Sequence, residues 1–176
     1  ILMLLSTLQP YCSMPINKEK YQEVILYLCQ KLGGEIKGKK KLAKLLYFAD
    51  FDFYEINQKS ITGDVYRAFP KGPLPSALDE IVRGLTEKKA LAVSSVKEWG
   101  DQYAPTEIYK CLIKPDISVF NSDEIKILDR TVKRYGGLNG EQLAVLSHEA
   151  PYTSAEPYQE IPYEFAYYRG TDFSDL

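Results

Sequence analysis

Residues 41–75 read KLAKLLYFADFDFYEINQKSITGDVYRAFPKGPLP, a stretch that divides into two unlike halves. In its first half Leu42, Leu45, Leu46, Tyr47, Phe48, Ala49, Phe51 and Phe53 leave no wet face. A helix that is apolar nearly all round is normally buried among other elements. The expectation is therefore a central buried helix running to about Ile56. Asn57 to Asp64 then turns the chain, with Gly63 at a position suited to positive φ. Val65 to Phe69 reads as a short strand. Pro70, Gly72, Pro73 and Pro75 read as a rigid connection in which no backbone ladder continues.

Upstream, Asn17 is a good N-cap, and Ile16 and Tyr21 are placed to staple the helix it opens. Tyr21, Val24, Ile25, Leu28 and Leu32 recur at helical spacing until Gly33-Gly34 stops them. Between the two helices lies a basic connection, Glu35 to Lys41. With Lys44 it places Lys37, Lys39, Lys40, Lys41 and Lys44 close together at a helix N-terminus, where cations oppose the macrodipole. The cluster reads as a solvated face, or as a surface for an acidic partner or a phosphate backbone.

Downstream, Ser76 with Asp79 is read as the cap of a third helix burying Leu78, Ile81, Val82 and Leu85. Leu91 to Trp99 and Tyr103 to Ile113 look like a β-hairpin turning at Gly100-Asp101, with Pro105 at an edge or bulge. Asn121 with Glu124 opens a fourth helix along Ile125, Leu128, Val132 and Tyr135, closed by Gly136-Gly137. Asn139 with Gln142 opens a short fifth that ends near His148. The segment from Pro151 onward carries Tyr152, Tyr158, Tyr163, Phe165, Tyr167 and Tyr168, too many aromatics for a free tail, and a helical turn is expected around Ser154 to Tyr158. The fold class that follows is α+β, mainly helical: about five helices around a buried central helix, with a small antiparallel β-hairpin. Residues 1–13 are expected to be an extension or arm, 14–170 a single domain, and 171–176 a tail.

A chain of 176 residues with 45% hydrophobic and 26% charged content is ordinary for a soluble globular domain. Its net charge of −2 argues against a dedicated nucleic-acid binder. Cys12, Cys29 and Cys111 lack CxxC spacing and read as reduced thiols of a cytoplasmic protein. The apolar start, Ile1 to Leu8, is too short for a membrane span and lacks the basic flank of a signal peptide.

Catalytic signals are sparse. His148 is the single histidine, so a triad or a metal site would have to be built on it. Ser147 beside it points about 100° away on a helix. Asp50, Asp52, Glu55 and Asp64 do not form a metal motif with it, and no phosphate-binding glycine loop exists. No cofactor is expected. The order helix, helix, strand, helix, hairpin is also that of a winged helix-turn-helix, but the helix from Ser76 to Lys88 carries only Arg83 and Lys88-Lys89 as basic groups.

Three blocks together resemble a known family. They are Lys41-Leu42-Ala43-Lys44-Leu45-Leu46-Tyr47-Phe48-Ala49-Asp50, then Ser60-Ile61-Thr62-Gly63-Asp64-Val65-Tyr66 running on to Lys71-Gly72-Pro73-Leu74-Pro75, then Leu146-Ser147-His148-Glu149 with Pro151 and Tyr152. Their order and spacing are similar to the Panacea domain, the SocA-like or phage-associated GepA-like antitoxin family, over about Asn17 to Phe165. The resemblance implies a non-enzymatic antitoxin of a toxin–antitoxin pair, neutralising its cognate toxin by direct contact or delivering it to a AAA+ protease such as ClpXP. It implies partner-binding roles for Lys41, Lys44, Tyr47, Asp50, Thr62, Gly63, Asp64, Lys71, Gly72, Pro73, Ser147 and His148. Two positions depart from the pattern: Lys71 stands where an aromatic usually precedes the Gly-Pro pair, and Tyr152 replaces a tryptophan often found after the Ser-His block. The alternatives are a winged-helix-like DNA-binding regulator and a hydrolase or metal enzyme using His148 with Asp50 or Asp64. Membrane and nucleic-acid partners are not expected.

Overall fold

Asn17 starts the first helix as its sequence requires: its side chain accepts the Lys20 amide at 3.0 Å. A computed structural model of the chain describes residues 15–98, 100 and 102–176. The expected arm at 1–13, Cys12, Trp99 and Asp101 of the hairpin turn lie outside the described residues. In chain order the elements are α1 (Lys18–Lys31), β1 (Glu35–Lys37), α2 (Lys39–Asn57), β2 (Tyr66–Phe69), β3 (Gly72–Pro75), α3 (Leu78–Glu87), β4 (Leu91–Val96), β5 (Thr106–Cys111), α4 (Ser122–Tyr135), α5 (Gly140–Leu146) and α6 (Ala150–Thr153), with 3-10 turns at Ile117–Val119 and Tyr163–Tyr168. The architecture is mainly helical α+β with two small antiparallel sheets.

Helix α2 is the centre. Every residue from Leu42 to Phe53 is buried, and α4, α5, β3 and the Tyr163–Tyr168 turn all pack on it. Burying a Leu or Phe side chain contributes roughly 1.5–3 kcal/mol, so this one helix supplies much of the driving force. It also carries Lys44, Asp50 and Asp52 into the interior, and each must be matched there.

Two expectations around the β2–β3 hairpin need correction. The Gly-Pro-Leu-Pro stretch is a strand, not a break: β3 pairs with β2 in the register Arg67↔Leu74 and Phe69↔Gly72. Pro73 and Pro75 oppose Ala68 and Tyr66, residues whose own backbone groups bond instead to the 158–161 segment. The prolines thus stand at the positions of the ladder that need no N–H. Ser76 does not cap α3. Ala77 is the N-cap and has no side-chain cap of its own; the Asp64 carboxylate accepts the Ala77 amide at 3.1 Å.

The basic connection contains β1, which lies beside β5 and completes a three-stranded sheet in the order β1-β5-β4. Asn121 and Asn139 form full capping boxes with Glu124 and Gln142. The helical turn expected at Ser154 to Tyr158 lies earlier, as α6, where Pro151 occupies a first-turn position that tolerates a missing N–H. Tail aromatics do return to the core: Tyr163 stacks on Tyr54 at 5.2 Å and leans on Phe51 at 4.8 Å, whereas Tyr168 stays exposed. No helix among the described residues is long and apolar enough to cross a membrane.

A buried ion cluster fastens the end of the chain. Asp52 pairs with Arg130 and, at 2.8 Å, with Arg169; Arg169 also meets Glu149 at 2.7 Å. Arg130 reaches Asp175 at 2.7 Å and donates to the Asp172 carbonyl, and Thr171 donates its amide and hydroxyl to Glu55. Such a cluster fixes one geometry more than it adds net stability, because desolvation consumes much of the attraction.

Candidate functional site

The motif residues separate into two places. The first is internal. Asp50, on α2, accepts the amides of Ile61 and Thr62 at 2.9 Å each, the Thr62 hydroxyl, and the Tyr66 hydroxyl at 2.7 Å. Asp64 accepts the Tyr21 hydroxyl at 2.9 Å as well as the Val65 and Ala77 amides. Burial pushes both carboxyls upward while the donors around them pull the other way, leaving Asp50 at about 6. Gly63 has φ +75°, and a Cβ there would come within 3.2 Å of the backbone at Pro15 and Ile16. Asp50, Thr62 and Asp64 are thus buried, with their acceptors filled from within the chain. Tyr47 is also buried, its hydroxyl donating to Glu149 at 3.1 Å, and Lys41 donates to the Gly136 carbonyl at 2.6 Å.

The second place is a corner where three separated segments meet. Lys44 from α2 donates to the Pro73 carbonyl of β3. A Cβ on Gly72, itself at φ +92°, would lie 2.6 Å from Ser147 Oγ, 2.9 Å from Lys44 Nζ and 3.2 Å from the His148 ring. Glycine is required there twice over, by conformation and by space. The His148 ring stacks on Tyr152 at 4.5 Å and 12°, and the Tyr152 hydroxyl donates to the Phe69 carbonyl at 2.9 Å. Helix α2, the β2–β3 hairpin and the α5–α6 junction are thereby locked together.

Beside this corner lies a groove of about 410 Å³. Ala43, Phe69, Pro70 and Leu74 form its apolar wall. Its charge comes from Lys39, Lys40, Lys44 and Lys71, and no carboxylate lines it. Lys39 and Lys40 are held by Asp79 and Glu141. The lysine cluster of the sequence is therefore not one solvated face: Lys37 pairs with Glu98, Lys41 and Lys44 bond backbone carbonyls, and only part of it reaches the groove. Phe69 and Leu74 of this wall are not among the motif residues that the resemblance marks for partner binding. The alternation along β2, which turns Phe69 outward, is the signal for one of them.

The corner is poorly arranged for catalysis. The Ser147 hydroxyl donates to Ala144 O at 2.8 Å, in its own helix, and is fully buried. Asp50 and Asp64 are engaged in the internal network. Among the described residues no group of three or more His, Cys, Asp or Glu could hold a metal ion. For DNA reading, α3 opens with Asp79 and Glu80, which pair with Lys39 and Lys18, the wrong sign for a groove-reading surface.

Compared with known families, residues 42–152 match the one described as "Antitoxin SocA-like, Panacea domain". That span runs from the buried start of α2 to Tyr152 and takes in Lys44, Gly72, Pro73, Ser147 and His148. No curated protein matches the chain.

Proposed function

As this chain belongs to the antitoxin SocA-like, Panacea-domain family, we propose that it is a non-catalytic, cytoplasmic antitoxin that neutralises a cognate toxin by direct contact through the α2/β2–β3 groove. The observation that carries this reading is the convergence of three motif segments on the Lys44–Gly72–Ser147–His148 corner, beside an apolar groove rimmed by lysines. The internal Asp50–Thr62–Asp64 network serves the site indirectly: it sets the turn after α2 and the start of α3, and so holds the hairpin that forms one wall. An apolar centre with a polar, solvent-accessible rim is the usual anatomy of a protein-binding surface; here the rim is made of lysines.

The test is co-expression with the protein encoded beside this chain's own gene. Expected are a stable co-purified complex and restored growth. Lys71→Glu combined with Phe69→Ala should abolish both, while changing stability by only about 0.5 kcal/mol or less per exposed position. A complex unaffected by the pair of substitutions rules out the groove; no complex at all rules out the toxin reading. Toxin half-life measured with and without ClpXP separates masking from delivery to the protease, since masking leaves the half-life unchanged.

A further inference from the structure

Lys44 is 2% exposed and makes one hydrogen bond, to the Pro73 carbonyl, although an ammonium has three donors to place. Buried charges are ordinarily paired with an opposite charge. Around Lys44 the other charged or titratable groups are Lys40 on α2, Lys71 on the β2–β3 turn and His148 beyond α5. The carboxylates flanking this set are engaged elsewhere: Glu141 of α5 pairs with Lys40, and Glu149, next to His148, pairs with Arg169 and accepts the Tyr47 hydroxyl. Among the described residues, then, Lys44 has no ion-pair partner, and no carboxylate lines the groove, although Lys39 and Lys40 are paired from outside it.

We propose that the segment of the partner docking in this groove is acidic, and that one of its carboxylates supplies the counter-charge missing at Lys44. This rests on the antitoxin reading above and specifies the chemistry of the surface it meets. Apolar side chains of that segment would lie against Phe69, Pro70 and Leu74, and a second carboxylate would meet Lys71. Docking is then coupled to protonation. In the free chain burial, helped by Lys40, lowers Lys44 to about 7; a bound carboxylate restores the charged form, so a proton is taken up from solvent as the complex forms.

The experiment is isothermal titration of the chain with the toxin encoded beside its gene, at pH 7.5, in phosphate and in Tris, whose ionisation heats differ. The expected result is an uptake of roughly 0.8 proton per complex, the fraction of a group titrating near 7 that is neutral at pH 7.5. Lys44→Met should abolish this uptake and weaken binding about 10-fold or more, and Lys71→Glu should weaken binding without removing the uptake. A complex that forms with no proton uptake, or that Lys44→Met binds as tightly as the parent, overturns the proposal and leaves the antitoxin reading standing. Failure to form any complex removes both. A DNA duplex that displaces the toxin from the groove would also overturn it, by assigning the lysines to phosphate.

Discussion

Replacing Lys44 by methionine keeps the stem of the side chain but removes the ammonium and its hydrogen bond to the Pro73 carbonyl, so the pH dependence of the resulting stability difference isolates one electrostatic quantity in the free protein. Lys44 is lowered from 10.5 to about 7 by burial. Between those values the unfolded chain holds the proton and the folded chain does not, so stability must rise with pH across the window. From pH 7 to pH 9.5 the gain is about 3 kcal/mol, taken from the two binding curves. Cys29 works the other way: burial raises its thiol to about 12, so the unfolded chain releases a proton first and stability falls by about 1 kcal/mol by pH 9.5. Lys44→Met keeps the Cys29 contribution and loses that of Lys44. The stability difference, parent minus variant, should therefore rise by about 3 kcal/mol over the window. In urea unfolding, with a slope of roughly 2 kcal/mol/M, that is a relative midpoint shift of about 1.5 M. Parallel pH profiles for the two proteins would overturn this prediction, because they would mean that Lys44 holds its proton in the free fold as firmly as in the unfolded chain.

Other substitutions probe the frame around the site. Arg169→Met leaves Asp52 with Arg130 alone and removes the buried cation beside Glu149; breaking a buried pair from one side costs about 3–5 kcal/mol, and calorimetry should show the drop in Tm together with early proteolysis after Gly170. Gly72→Ala must accept φ +92° and contacts of 2.6 and 2.9 Å to Ser147 Oγ and Lys44 Nζ; a loss of about 2–4 kcal/mol is expected. Gly137→Ala, where an added Cβ meets nothing within 4 Å, should be neutral to slightly stabilising in the same denaturation assay. Asp64→Ala removes the acceptor for the Ala77 amide and the Tyr21 hydroxyl; about 2–3 kcal/mol should be lost, with hydrogen exchange accelerating first at the start of α3.

Local chemistry was legible along the chain. Asn17, Asn121 and Asn139 cap helices where they stand because a cap needs only its own next three residues. The all-round apolar run from Leu42 to Phe53 announces a buried central helix by its composition alone. The short outer strand β1 was not legible, since three residues rich in charge carry no period to read. Nor was β3, because proline forbids a strand only where its missing N–H would face the partner, and register is a property of two strands together.

Helices α1 to α5, the buried centre and the order of motif blocks in which the family is recognisable were therefore readable along the chain, whereas α6 was not placed. Where those motif residues sit was set by the tertiary fold. Asp50 and Asp64 belong to the inside of the turn, while Lys44, Gly72, Ser147 and His148 meet at one corner beside the groove. The reason is range. Caps and periodicity act within a turn or two of chain, whereas Lys44 and Pro73 are 29 residues apart and Asp52 and Arg130 are 78 apart. Whether a charge on a buried helix finds a partner within the chain is settled by packing between distant segments.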